Sequence, residues 1–252
     1  MVGGILFEHG HRLIASFVGF LTVILFIWIW NTEQRQWMRK LGLFALLGVI
    51  VQGVFGGITV LFYLPQLIST IHATLAQTFF CIVVSITLFT SKEWTSEQTS
   101  STLNSFSSQH QSLARNTTLA IYVQLILGAL LRHNDKVMSI FLLLHIVGAI
   151  IASYFIAHTY HKLKSISDEK KIARNTLLLY SLLWLQITVG IFSLFLKLTS
   201  QDEVNLIWNT IFATVFHVAI GASLLATSLV LTLRVRRSFI IQLGYSNETN
   251  SC

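Results

Sequence analysis

The sequence predicts an all-α, polytopic membrane protein, and three observations carry that expectation. Apolar residues fill 54% of the 252 positions and charged residues only 11%. Mean hydropathy is +0.69. A soluble domain carries about 25% charge, so there are too few charges here to clothe a water-facing surface. The apolar residues fall into seven long runs without period-2 alternation, which selects helices over barrel strands. The same composition excludes disorder, and a single proline, Pro65, excludes a Pro-rich linker or collagen-like chain.

The runs lie at roughly 4–30, 41–63, 67–90, 115–131, 137–160, 173–197 and 205–233. Each reaches or approaches the roughly 20 residues that cross a ~30 Å hydrocarbon core. The first starts almost at Met1 without a basic leader and is too long for a signal-peptide core. The second holds Gly53 and Gly57, a small-xxx-small spacing that admits a close neighbour. The third follows Pro65 and contains Cys81; Cys252 is terminal, so the two cysteines form neither a CxxC site nor an obvious staple. Residues 91–114 are rich in Ser and Thr and read as a flexible linker before the fourth and shortest run. The expected organisation is a three-helix half-bundle at 1–90, the linker at 91–114, a four-helix bundle at 115–236 and a cytoplasmic tail at 237–252.

The net charge of +7 is distributed asymmetrically. Alternate loops place Arg35, Arg39, Lys40, Lys92, Arg115, Lys162, Lys164, Lys170, Lys171, Arg174, Arg234, Arg236 and Arg237 on one side. Only Arg12, Arg132, Lys136 and Lys197 fall on the other. The positive-inside bias then predicts an external N-terminus and a cytoplasmic C-terminus, with a bacterial plasma membrane as the expected location. The lipid bilayer is the expected partner of this surface. Nucleic-acid binding is excluded, because the basic residues are split among loops rather than gathered on one face.

The two halves echo each other. Gln52-xxx-Gly56 recurs as Gln186-xxx-Gly190, 134 positions later, and His11 and His145 share that offset. His72 and His217 are 145 apart. The echoes predict a duplicated bundle. The fourth run has no counterpart in the first half, so the expectation is that a first helix has been lost upstream of Met1.

Four histidines, His11, His72, His145 and His217, fall one each on the first, third, fifth and seventh runs. Those runs share a direction, and each imidazole lies roughly 8–18 Å from the outer end at 1.5 Å per residue. One such histidine alone reads as an interhelical hydrogen bond. Four at matched depth, two per repeat, point to function, since polar groups in hydrocarbon are costly and bundle cores commonly hold cofactor ligands. Two imidazoles on opposite faces of a flat ligand describe a six-coordinate haem. Zinc would want three or four ligands per site.

The halves differ at one place. Glu8 and His11 share a helix face at i, i+3, and Arg12 follows. The equivalent positions after the 134-residue shift are Leu142 and Ile146. A carboxyl beside a haem-type site can donate or accept a proton, and Arg12 could pair with a porphyrin propionate. The plain alternative is an i, i+4 Glu8–Arg12 ion pair.

EHGHRLIAS at 8–16, QGVFGGITVL at 52–61, LPQLISTIHATLAQTFF at 64–80 and the His145 and His217 helices resemble the heme A synthase family of cytochrome oxidase assembly enzymes. The resemblance covers essentially the whole chain. It implies an eight-helix fold of two four-helix bundles, and oxidation of the C8 methyl of haem O to a formyl group through hydroxylated intermediates. It implies Glu8 as the catalytic carboxylate, His11 and His72 as ligands flanking the substrate haem, and His145 and His217 as axial ligands of a resident haem b. Implied partners are the synthase that makes haem O, cytochrome oxidase as destination, an electron-transfer partner of unidentified kind and, in some settings, a second copy of the chain. The chain departs from the family in lacking the first helix and an arginine after His145. Two other readings compete: a dihaem b-type electron-transfer protein without porphyrin chemistry, and a seven-helix transporter or receptor with structural histidines. Glu8 speaks against the first, and a haem absorption band would exclude the second.

Overall fold

A computed structural model describes residues 2–62, 65–96, 106–132, 139–164, 170–199 and 204–249. Among these, the elements are α1 (Val2–Thr32), α2 (Gln36–Leu61), α3 (Gln66–Thr90), α4 (Lys92–Thr95), α5 (Ser108–Arg132), α6 (Ile140–Lys164), α7 (Lys170–Thr199) and α8 (Val204–Thr249). All but the short α4 are long and apolar enough to cross a membrane. Large apolar side chains such as Phe17, Trp28, Ile150, Trp184 and Phe212 point outward, as lipid requires. The chain is an all-α, polytopic integral membrane protein. It divides into two compact units, Met1–Trp94 and Thr95–Cys252.

In the first unit α1 packs on α2 and α2 on α3, while extensive packing between α1 and α3 is absent among the described residues. The core gathers at one end, where Ile29, Met38, Ala45 and Ile86 are buried against Leu25, Leu41, Phe79, Ile82 and Phe89. Gly42 permits this approach, since a Cβ there would stand 3.3 Å from Ile29 Cγ2. At the opposite end Leu13, Ile14 and Phe17 of α1 are exposed. α1 is thus joined to α2 and α3 at the floor, while its own histidine end is exposed.

The floor is tied by the α1–α2 turn. Arg35 donates from Nε to Glu33 Oε1 at 3.0 Å, from Nη2 to Glu33 Oε2 at 2.6 Å, and from Nη2 to the Phe89 carbonyl at 3.1 Å. The last bond satisfies a carbonyl at the C-terminal turn of α3, where a cation is favoured by the helix dipole. Arg39 donates to the Glu33 carbonyl at 2.7 Å. Trp37 packs edge-on to Phe89, which meets Trp94 in turn. The hydrogen bonds from Arg35 lower the Glu33 carboxyl from 4.5 to about 2.

The second unit is a closed ring: α5 packs on α6, α6 on α7, α7 on α8, and α8 back on α5. Hydroxyl pairs stitch α5 to both neighbours. Thr117 bonds Thr159 at 2.7 Å, and Thr118 bonds Ser228 at 2.8 Å and Thr232 at 2.9 Å. Tyr160 stacks on Tyr180 at 4.3 Å between α6 and α7, and Ser193 bonds Thr214 at 3.1 Å between α7 and α8. Small hydroxyl residues let these helices approach closely and satisfy one another without water.

Two boundaries and one helix contact differ from the sequence expectation. The linker expected at 91–114 contains α4, its residues 97–105 lie outside the described residues, and α5 begins at Ser108. His110 reaches back to cap the start of α5: the Ser107 N–H donates to His110 Nδ1 at 3.0 Å and the Ser107 hydroxyl bonds the same atom at 2.9 Å. The tail expected at 237–252 continues α8 to Thr249, with residues 250–252 outside the description. Its 46 residues extend about 69 Å at 1.5 Å per residue, more than twice a ~30 Å hydrocarbon core. No proline interrupts that run, and Val235 and Ser238 remain buried within it. Finally, Gly53 and Gly57 face open space within the chain; Gly56, between them, is the residue that meets α3.

Arg35→Leu should destabilise the protein by roughly 1.5–3 kcal/mol, the range for a hydrogen bond to a charged group, seen as a lower unfolding temperature in detergent. An unchanged melting curve would show that the turn does not hold α3. Because the folded Glu33 carboxyl sits at about 2 rather than 4.5, its stabilisation is complete above about pH 4.5 and fades as pH falls toward about 2. In an acid titration Glu33→Gln should flatten that part of the stability curve.

Candidate functional site

The intramembrane histidines are built into helix pairs by a repeated device. On α2, Gln52 Nε2 donates to the His72 carbonyl at 3.0 Å and lies 3.5 Å from His72 Nε2. On α5, Gln124 Nε2 donates to the His145 carbonyl at 2.9 Å and lies 3.1 Å from His145 Nδ1. On α7, Gln186 Nε2 lies 3.2 Å from His217 Nε2. One turn further along each glutamine helix a glycine faces the same ring. A Cβ at Gly56, Gly128 or Gly190 would stand 3.2, 3.1 or 2.7 Å from Cε1 of His72, His145 or His217. Glutamine and glycine four apart lie on one helix face. The glycine makes room for the ring and the glutamine grips it.

The sequence comparison finds two of these pairs, Gln52/Gly56 and Gln186/Gly190, but treats them only as marks of duplication. Gln124/Gly128 is a third, missed because it lies outside the 134-residue offset. Reading a Gln-xxx-Gly ahead of each intramembrane histidine would have found it.

His145 and His217 sit on α6 and α8, diagonal members of the closed ring, and meet across its interior. Their ring centroids are 6.3 Å apart with planes at 72°. Two imidazoles gripping one metal from opposite sides put their ring centres about 6 Å apart, from bonds near 2 Å and roughly 1 Å more to each ring centre. The pair therefore fits the axial ligands of a haem iron. A second observation fits the same group: Nδ1 of His217 is buried without a hydrogen-bond partner, a costly state for a polar atom that ligation would relieve. Among the described residues no group of three or more His, Cys, Asp or Glu is placed to hold a metal ion.

The first unit is looser. His72 is half-buried, with Nδ1 likewise unpartnered, whereas His11 is exposed on the open end of α1. The two are close enough to interact electrostatically but lack the ring-to-ring approach of His145 and His217. Glu8 is paired with Arg12, Nη2 to Oε1 at 2.7 Å, with both side chains about half exposed (50% and 52%). The plain i, i+4 ion pair is thus the contact observed, and Arg12 is engaged by Glu8. His11 lies between the two in sequence, next to Arg12 and about one turn from Glu8.

A family model described as "Cytochrome oxidase assembly protein" matches residues 4–235. Among curated proteins, the heme A synthase of Shouchella clausii (strain KSM-K16) is 32% identical over 81 residues, 32% of this chain. That match spans 27% of the relative's length. No solved structure matches. With seven membrane-spanning helices, paired intramembrane imidazoles and a family match across most of its length, the chain belongs to the heme A synthase family of cytochrome oxidase assembly proteins.

Proposed function

We propose that this chain is an oxidoreductase that converts haem O to haem A for cytochrome oxidase, by stepwise oxidation of the C8 methyl group to a formyl group. The observation that carries the reading is the His145–His217 pair, held 6.3 Å apart inside a closed helical ring, in a chain of this family. Family membership favours this reading over a dihaem b-type electron-transfer protein.

In this reading His145 and His217 ligate a resident haem b, and His11 and His72 flank the substrate haem O. Haem b, when bound, supplies one-electron transfer at its iron. Turning a methyl into a formyl takes up an oxygen atom and releases protons and electrons, so a proton-handling group is required beside the substrate. Glu8 has that role, one turn from His11. Arg12 holds that carboxyl in an ion pair at 2.7 Å. A porphyrin propionate entering the open end of the first unit would compete with Glu8 for the Arg12 guanidinium. That end, bounded by exposed His11 and half-buried His72, suits a flat, bulky substrate better than the closed second unit. The proposed orientation puts the N-terminus outside and the C-terminus in the cytoplasm of a bacterial plasma membrane. Haem O arrives from its upstream synthase, haem A leaves for cytochrome oxidase, and the electrons pass to a separate partner.

Glu8→Ala should retain the resident haem while slowing haem A formation by about 10²-fold or more, the usual contribution of a general acid–base group. Chromatography of extracted haems reads the conversion, and undiminished haem A would remove Glu8 from the chemistry. His145→Ala and His217→Ala should each strip most of the resident haem from protein that still folds, read by the Soret band of purified material. Full haem content in both variants would overturn the ligand assignment.

A further inference from the structure

The outward side of the α5–α6 pair carries a groove of about 460 Å³. Asn116, Val123 and Leu127 line it from α5, and Val147, Ile151 and Phe155 from α6. These positions recur at four and seven residues, so one face of each helix forms one wall. Gly148 lies at the floor, where a Cβ would collide with the Gln124 side chain and stand 2.9 Å from Leu127 Cδ1. Glycine there keeps the two helices close and the floor low. Behind that floor Gln124 Nε2 donates to the His145 carbonyl at 2.9 Å.

The groove has the dimensions of one leaflet. From Asn116 to Leu127 it runs about 16 Å at 1.5 Å per residue, half of a ~30 Å hydrocarbon core. Its two ends differ in chemistry. Toward Leu127 the walls are apolar, with Val147 and Leu144 opposite. At the other end Asn116 brings an exposed amide into the lining. The wall face of α6 continues beyond Phe155 through His158 to an exposed Lys162. Arg115 and Lys164 are exposed at the same end. Neither α5 nor α6 contains an Asp or a Glu. An apolar slot one leaflet long, with an amide and cations at its mouth and no carboxylate on either wall, complements a molecule with an apolar chain and an anionic head.

We infer that this groove binds an anionic phospholipid, with an acyl chain laid between α5 and α6 and the headgroup phosphate held by Asn116 and Lys162. The Asn116 amide donates a hydrogen bond to a phosphate oxygen, and Lys162 supplies a point charge at the membrane surface. The acyl chain covers the α5–α6 seam behind His145, so the lipid supports the helix pair that carries that histidine. The site needs no haem and is independent of the ligand assignment proposed above.

The full chain is placed in nanodiscs of mixed phosphatidylcholine and phosphatidylglycerol and re-extracted in detergent, and its retained lipids are identified by native mass spectrometry. The unaltered chain should keep phosphatidylglycerol in preference to phosphatidylcholine. Lys162→Gln should weaken that retention about fivefold, which is the ~1 kcal/mol that one basic residue contributes near an anionic surface. Arg174→Gln, at an exposed cation of the same end but on α7 and outside the groove, should leave retention unchanged. Ala120→Phe, which fills the groove from the α5 wall, should abolish it; Val123→Phe, at a half-exposed wall position, replaces that variant should it fail to fold. Equal retention of the two lipids overturns the inference. So does an equal loss in Lys162→Gln and Arg174→Gln, which would mean a diffuse basic collar, or undiminished retention with the groove filled. A chain that keeps no lipid overturns it as well and leaves the groove to a helix of another protein.

Discussion

The structure depends on one constraint: an imidazole in hydrocarbon must find its partners inside the protein. Water is absent there, and an unsatisfied polar group is expensive. This chain meets the constraint with a helix pair in which one member offers glutamine and glycine and the other offers histidine. The device appears at α2–α3, α5–α6 and α7–α8. The remaining pairings, α1–α2, α6–α7 and α5–α8, rest on other contacts.

The same device explains why the two units differ. In the second, two such pairs close on each other through the Thr118 contacts with Ser228 and Thr232 and the Tyr160–Tyr180 stack, and the diagonal histidines converge. In the first, one pair stands beside α1, whose histidine end is unpacked while its other end is fixed by Ile29 and Met38 and the Glu33–Arg35 turn. A closed ring holds a ligand tightly and keeps its geometry. An open layer with a firm floor admits and releases one. Glu8 and Arg12 lie on the open side, where acid–base chemistry would be wanted.

Much of the fold was legible because hydropathy reports burial in lipid directly. Seven apolar runs became seven spanning helices, most ends shifting by a few residues and α8 running well past its apolar run. The shifts have local causes: Ser107 and His110 cap α5 ahead of its apolar core, and nothing ends α8 once it leaves the hydrocarbon. The histidines were legible because their spacing repeats and because polar residues are scarce in such runs. Gln124 was not, since a single glutamine in an apolar helix carries no mark of what lies across from it.

The amino-acid sequence by itself determined the class of protein, the helices, the four intramembrane histidines and the family, because each depends on composition or on short-range periodicity. Tertiary structure alone decided which glycine receives a neighbour, Gly56 rather than Gly53 or Gly57, and which histidines meet. It also decided that Glu8 pairs with Arg12. These are matters of helix rotation and crossing, set by packing between segments far apart in the chain, and no periodicity within one segment encodes the angle at which it meets another.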